Sequence, residues 1–81
     1  MLDKKGYLNL KKEIKFMCRT NVLKLCDDIQ LNDEERKLLL YFYDGKSRIQ
    51  TCMEMCISIT YYTEHLKIIF NKINDYKNTL N

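Results

Sequence analysis

Few residues of this chain could take part in covalent or metal chemistry. The 81 residues include four cysteines and a single histidine, His65. A nucleophilic active site needs a nucleophile beside a base, and a zinc site needs four ligands in recognisable pairs. Cys52 and Cys56 are one helical turn apart, whereas Cys18 and Cys26 are eight residues apart and offer no second pair. We therefore expect no enzyme, no metal site and no cofactor, and we interpret the cysteines as small core residues.

The composition excludes several further classes of protein. Hydrophobic residues make up 46% and charged residues 31% of the chain, which is typical of a globular domain rather than of a disordered segment. With no proline and two glycines, the chain cannot form a glycine-rich phosphate loop, a collagen repeat or a proline-rich ligand. No apolar run approaches the roughly 18 residues of a membrane span, and no apolar block follows the N-terminal lysines as in a secretory signal. We expect a cytoplasmic protein with reduced thiols and no membrane partner.

The charge is unevenly distributed along the chain. The formal net charge is +5 over residues 1–24, −4 over residues 25–45 and +2 over residues 46–81. Both basic ends could meet an anionic partner, whereas the acidic middle could not. A lysine-rich face that is simply solvated is the commoner explanation for any one of these groups.

Helical patterns cover the first half of the chain. Apolar residues recur at spacings of three or four over residues 8–29, which predicts one long amphipathic helix. Asn32 and Glu35 have the spacing of a capping box, so a second helix should begin at Asp33 and end at Gly45. The carboxylates of its first turn favour the positive end of the helix dipole, and we interpret them as structural rather than catalytic.

The second half of the chain continues the helical pattern. Ser47 predicts the start of a helix that runs to about Met55, with Ile49, Cys52 and either Met53 or Met55 facing inward. After Ser58, which is another capping residue, the pattern predicts a helix to about Tyr76. Its inward residues should be those at spacings of four, three and four, namely Tyr62, Leu66, Ile69 and Ile73. The sequence therefore predicts an all-α fold.

Residues 31–73 also resemble a known family of DNA-binding domains. The residues that carry the resemblance keep the family's spacing without a gap; they are Leu31, Glu35-Arg36, Leu39, Tyr43, Gly45, Ser47, Ile57-Ser58, His65-Leu66 and Lys72-Ile73. This stretch is similar to the fourth region of bacterial sigma factors and to LuxR-type domains. The resemblance implies a three-helix helix-turn-helix core over residues 31–81. The long N-terminal helix of residues 1–30 would pack across that core, so that both parts form one structural unit.

The resemblance also implies which residues contact the DNA backbone. In this family the helix before the last one touches the backbone with its N-terminal end. Lys46, Ser47 and Arg48 occupy that place here, and they offer two charges and a hydroxyl beside free helix amides. On the last helix, Tyr61 and Lys67 flank the base-reading positions; Tyr61 could bond a phosphate, and Lys67 would share one nucleic-acid-binding face with Lys46 and Arg48.

Sequence readout is assigned by the same resemblance to the last helix, which lies in the major groove in this family. Thr60 or Thr63 could contact a thymine methyl group, and Glu64 could accept a hydrogen bond from a cytosine amino group. The chain departs from the family where Ile59 and Thr63 replace arginines that commonly read guanine. It departs again at Cys56, which stands where the family has its turn glycine.

These features predict a sequence-directed double-stranded DNA-binding protein that regulates transcription, similar to small regulators of phages and other mobile elements. RNA polymerase or another host protein would be a further partner, and the apolar face of residues 8–29 would form a homodimer. The alternative is a protein of the same fold that does not read DNA. It would inhibit or recruit a host protein, such as an RNA polymerase subunit or a defence nuclease. A redox or metal sensor that uses Cys52 and Cys56 is a third possibility.

Overall fold

The computed structural model describes residues 3–80, which form five α-helices and no strand. In chain order the helices are α1 (Lys4–Phe16), α2 (Arg19–Asp28), α3 (Asp33–Tyr43), α4 (Arg48–Met55) and α5 (Ile59–Leu80). The predicted all-α class is confirmed. No helix within residues 3–80 is both long enough and apolar enough to cross a bilayer.

The prediction of one long N-terminal helix is wrong, because residues 8–29 belong to two shorter helices. Met17 and Cys18 are extended, with φ/ψ of −74°/152° and −66°/145°, and they break the helix between Phe16 and Arg19. The hydroxyl of Tyr43 donates a hydrogen bond to the carbonyl of Met17 at 2.5 Å, so a carbonyl group at the break is hydrogen-bonded by α3. The apolar spacing continues across the break, which is why the sequence pattern does not reveal it.

The long helix of the molecule lies instead at the C-terminal end. Helix α5 has 22 residues, and no glycine or proline interrupts the chain after Gly45. It contacts α1, α3 and α4, and α3 also contacts α4. Its predicted inward residues, Tyr62, Leu66, Ile69 and Ile73, are all buried, as is Phe70. Helix α5 is therefore the element around which the core is built.

The helix starts follow the capping signals in the sequence. Asn32 caps α3 in a complete capping box, in which its side chain accepts from the Glu35 amide at 2.8 Å and its own amide donates to the Glu35 carboxylate at 3.2 Å. The hydroxyls of Ser47 and Ser58 accept from the amides three residues later, at 3.1 Å and 3.0 Å. All three predicted N-caps are confirmed.

Three helix ends have a residue with positive φ, and at the end of α2 this residue is Gln30, with φ 56°. Gly45 has φ +84° and ends α3, as predicted. Cys56 has φ 56° and ψ 45° and ends α4, so a side chain occupies a conformation that favours glycine. The three residues Cys56–Ser58 then connect α4 to α5.

The N-terminal helices pack against the rest of the same chain. Leu10, Ile14, Val22 and Leu25, which belong to the face predicted to form a homodimer, are buried in the core of this chain. The large hydrophobic side chains that α1 and α2 leave exposed are Leu8, Phe16 and Leu23. The homodimer stays a prediction, and its interface would have to use these exposed side chains.

The inward face of α4 differs from the prediction. Thr51 and Cys52 are buried and Met55 is half-buried, whereas Ile49 and Met53 are 60% and 73% exposed. Thr51, Cys52 and Met55 share the face of α4 that is turned to the core, and the helical period places Ile49 and Met53 on the opposite side. The inward placement of Cys52 and Met55 was correct, and that of Ile49 was wrong.

Candidate nucleic-acid interface

A groove lies where α1, the start of α4 and the first half of α5 meet. It has a volume of about 460 Å³ and is open to solvent. We call it the basic groove, and its lining residues are Tyr7, Lys11, Ser47, Arg48, Ile49, Tyr62, Thr63, Leu66 and Lys67. Four of the predicted site residues therefore come together here, namely Ser47, Arg48, Thr63 and Lys67.

Local structure explains how these side chains reach the groove. The Ser47 cap places Arg48 in the first turn of α4. Thr63 and Lys67 are one helical turn apart on α5, at the border between its buried and exposed faces. Lys11 comes from α1, where it follows the buried Leu10. Three separate helices thus contribute one cation each.

The cations of the basic groove form no ion pair with any residue that the structure describes. Five of the fourteen basic residues form ion pairs within residues 3–80, and Lys11, Arg48 and Lys67 are not among them. Burial lowers the pKa of the Lys11 ammonium, and the positive charges of Lys15 and Arg48 lower it further. An anion in the groove would remove this repulsion.

Aromatic and apolar side chains form the floor of the groove. The Tyr7 ring meets Phe70 edge-on, with centroids 5.2 Å apart, and Tyr62 is buried beside it. Burial raises the pKa of both tyrosine hydroxyls, so they stay neutral at physiological pH and do not repel an anion. The Lys11 ammonium lies 4.9 Å from the Tyr7 ring centroid and 5.8 Å from that of Phe42.

The outer face of α5 adjoins the basic groove. Thr60, Glu64 and Lys67 are exposed on it, and Thr63 is half-buried at the edge of the groove. No ion pair within the described part of the chain involves Glu64. The predicted readout residues therefore lie on a solvent-facing polar strip beside three unpaired cations.

Two predicted site residues lie elsewhere. Lys46 forms an ion pair with Glu54, and its ammonium is 4.0 Å from the Tyr41 ring centroid. The hydroxyl of Tyr61 donates to the carboxylate of Glu34. These hydrogen bonds are the main causes that raise the pKa of Lys46 and of Tyr61. Neither residue lines the basic groove, and both have partners in the fold.

The acidic start of α3 is engaged by α5. Glu35 is 8% exposed, and Lys72 donates to its carboxylate at 2.8 Å. Burial by itself would raise the pKa of Glu35, but the hydrogen bonds from Lys72 and from the Asn32 amide outweigh it, so that the pKa is lowered. His65 donates through Nδ1 to the Tyr61 carbonyl at 3.0 Å and stacks on the Tyr61 ring. This cluster joins α3 to α5.

The cysteines divide into two buried and two exposed thiols. Cys26 and Cys52 are buried, as expected for small core residues, and the Cys52 thiol donates to the Ser58 carbonyl at 3.7 Å. The core interpretation is wrong for Cys18 and Cys56, which are exposed. Among the residues that the structure describes, no group of three or more His, Cys, Asp or Glu side chains could hold a metal ion.

Sequence reasoning missed Lys11 and Tyr7. Both lie in the first helix, far along the chain from the residues that carry the family resemblance. The only sequence signal was the basic N-terminal segment, which does not indicate which lysine meets α4. Comparison of the chain with protein-family models, with curated proteins and with solved structures found no match in any of the three.

Proposed function

We propose that this protein binds double-stranded DNA in a sequence-directed manner and regulates transcription. In this proposal α3, α4 and α5 act as a helix-turn-helix unit that resembles sigma region four, with α5 entering the major groove. The observation that carries the proposal is the position of two unpaired cations, Arg48 and Lys67, beside the exposed polar strip that contains Thr60 and Glu64.

The first step would be attachment to the DNA backbone. Arg48 stands in the first turn of α4, where the helix presents its positive end. Its guanidinium can donate two parallel hydrogen bonds to a phosphate. Lys67 offers a second cation from α5. The Ser47 hydroxyl donates to the Gln50 side chain at 3.4 Å, and it would turn from Gln50 to donate to a phosphate. Such contacts set the position of the protein on the duplex without reading its sequence.

Readout would follow from the outer face of α5. The methyl groups of Thr60 and Thr63 suit the methyl group of thymine, and the carboxylate of Glu64 suits the amino group of cytosine. Because a carboxylate is repelled by phosphates and by acceptor-rich guanine edges, Glu64 would also exclude wrong sites. Lys46 pairs with Glu54 and Tyr61 donates to Glu34, so this proposal gives Lys46 and Tyr61 no DNA contact.

The expected affinity of a single chain is low. Two phosphate contacts from Arg48 and Lys67 correspond to a slope of about −1.8 in log K against log salt concentration, far below that of strong DNA binders. We therefore propose that the protein acts as a homodimer or together with RNA polymerase. Light scattering across a range of concentrations tests the dimer, and pull-down with purified polymerase tests the second partner.

Selection from a pool of random AT-rich duplexes, at low and at physiological salt, tests the proposal directly. An enriched motif supports sequence-directed binding, and its half-site spacing reports a dimer. The double variant Arg48→Gln/Lys67→Gln should lose about 1.8 units of salt slope. The matched control Lys24→Gln/Lys37→Gln removes the same charge from exposed lysines outside the basic groove, and it should retain the slope. Equal slopes in the two double variants would contradict the proposed face.

A second candidate function is binding of a host protein without DNA readout. It is favoured by Ile49 and Met53, which expose apolar side chains one turn apart on α4. Exposed apolar residues of this kind are typical of protein-binding sites. The double variant Ile49→Ser/Met53→Ser should abolish a salt-resistant complex with a host protein. If the variant instead weakens only DNA binding, the apolar pair belongs to the DNA surface.

A further inference from the structure

We infer that α1 is part of the same nucleic-acid surface, and that Lys11 and Arg48 together hold one backbone phosphate in the basic groove. This inference rests on the proposed function, because it assigns a partner to the groove beside α4 and α5. It adds a residue from outside the stretch that resembles the DNA-binding family.

The placement of Lys11 is the first argument. Lys11 is half-buried, and its ammonium lies within 6 Å of two aromatic rings, those of Tyr7 and Phe42. Contacts with aromatic faces restrict the otherwise flexible lysine side chain. The cation is therefore already positioned at the groove before a ligand arrives, which lowers the entropic cost of binding.

The second argument is the composition of the groove. Lys11 and Arg48 are close enough for the charge of Arg48 to lower the pKa of Lys11, and none of the described residues that line the groove is acidic. Ser47 and Thr63, which carry hydroxyl groups, also line the groove. A phosphate group carries several acceptor oxygens, so it can use a guanidinium, an ammonium and hydroxyl groups at once.

The third argument is the position of the groove relative to the proposed readout strip. Thr63 and Lys67 belong both to the wall of the groove and to the border of the outer face of α5. A phosphate in the groove would therefore belong to the strand next to the bases that Thr60 and Glu64 contact. By comparison, Lys12 is exposed on α1 but does not line the groove.

The first test compares Lys11→Gln with Lys12→Gln in DNA binding. Lys11→Gln leaves Arg48 alone on the shared phosphate, so it should reduce the salt slope by up to about 0.9, which corresponds to up to about fivefold weaker binding at 0.15 M salt. Lys12→Gln should retain the wild-type slope, and Lys11→Arg should restore most of the loss. Thermal unfolding of each variant shows whether the fold is intact. Lys11→Arg is the second control, because it keeps the positive charge at the same position.

The second test uses inorganic phosphate and needs no DNA. NMR titration at constant ionic strength should shift the amide signals of Ser47 and Arg48 and the ammonium signal of Lys11. The shifts of Ser47 and Arg48 should disappear in Lys11→Gln and persist in Lys12→Gln. Equal shifts at every exposed lysine would show only a diffuse ion atmosphere, and this result would overturn the inference.

The two tests separate failure of the inference from failure of the proposed function. If the wild type binds no DNA but phosphate shifts Ser47 and Arg48 through Lys11, the phosphate site stands and the proposed function fails. If Arg48→Gln weakens DNA binding while Lys11→Gln keeps the wild-type slope, the proposed function stands and the role of α1 is wrong.

Discussion

Replacement of Cys56 by glycine should stabilise the protein. Cys56 ends α4 with φ 56° and ψ 45°, a left-handed conformation in which the Cβ atom crowds the backbone. Its side chain is exposed, so glycine forfeits little burial. The thiol makes one weak contact, at 3.9 Å from the Met53 carbonyl. The substitution therefore changes the backbone preference with little loss of packing.

The size of the effect follows from two opposing contributions. A residue with a Cβ atom costs roughly 1–2 kcal/mol in the left-handed region. Glycine loses more conformational entropy on folding, which costs roughly 0.5–1 kcal/mol. The difference predicts an increase of roughly 0.8 kcal/mol in the free energy of unfolding for Cys56→Gly. For a domain of this size, that corresponds to a rise in Tm of about 3–6 °C.

Urea denaturation and calorimetry at one protein concentration measure the effect, with a reducing agent present. Cys56→Ala is the matched control, because it removes the thiol and keeps the Cβ atom, and it should leave Tm nearly unchanged. Gly45→Ala is the reverse experiment, because it adds a Cβ atom to a residue with positive φ. The added Cβ meets nothing within 4 Å, so the loss of protein stability should come from φ +84° alone. Equal stabilities of Cys56→Gly and Cys56→Ala would refute the argument from backbone conformation.

Three further predictions concern the capping box, the partly buried ion pair and the N-terminal contact. Asn32→Ala removes the α3 cap and should cost about 1 kcal/mol of unfolding free energy in urea denaturation. Lys72→Gln should destabilise the protein at neutral pH, because Glu35 stays buried without its cation. Since the folded pKa of Glu35 is lowered, its contribution is present above the unfolded pKa and is lost as the pH falls through the folded pKa, so acid titration should bring the two stability curves together. For the predicted homodimer, Phe16→Ser should shift the mass measured by light scattering towards the monomer, and an unchanged mass would exclude this residue from the contact.

Much of the fold could be predicted from patterns among residues that are close in the sequence. The caps at Asn32, Ser47 and Ser58 depend on a side chain and an amide three residues away, so the sequence contains both partners of each bond. The buried face of α5 likewise follows from one period that is sustained over several turns. Gly45 ends α3 because few other residues adopt its φ easily.

Features that depend on distant parts of the chain could not be predicted. The break at Met17 is supported by Tyr43, which lies two helices later in the sequence. The outward position of Ile49 follows from the contacts of α4 with α3 and α5, which bury Thr51 and Cys52, and the spacing within so short a helix does not determine that face. The partners of Lys46 and Tyr61 are the carboxylates of Glu54 on α4 and Glu34 on α3, and no local spacing reveals them. For the same reason Lys11 could not be distinguished from the other N-terminal lysines.

The contact between α1 and α5 has a consequence for the order of folding. The Tyr7 and Phe70 rings meet although they lie near opposite ends of the chain, whereas α3, α4 and α5, which follow one another along the chain, contact each other. Closing a long loop costs more entropy than closing a short one, so the local contacts should form in the transition state and α1 should dock afterwards. Leu38→Ala should therefore slow folding, and Ile14→Ala should mainly speed unfolding. Because Lys11 arrives with α1, a partly folded chain would hold Arg48 and Lys67 in place and still have an incomplete groove.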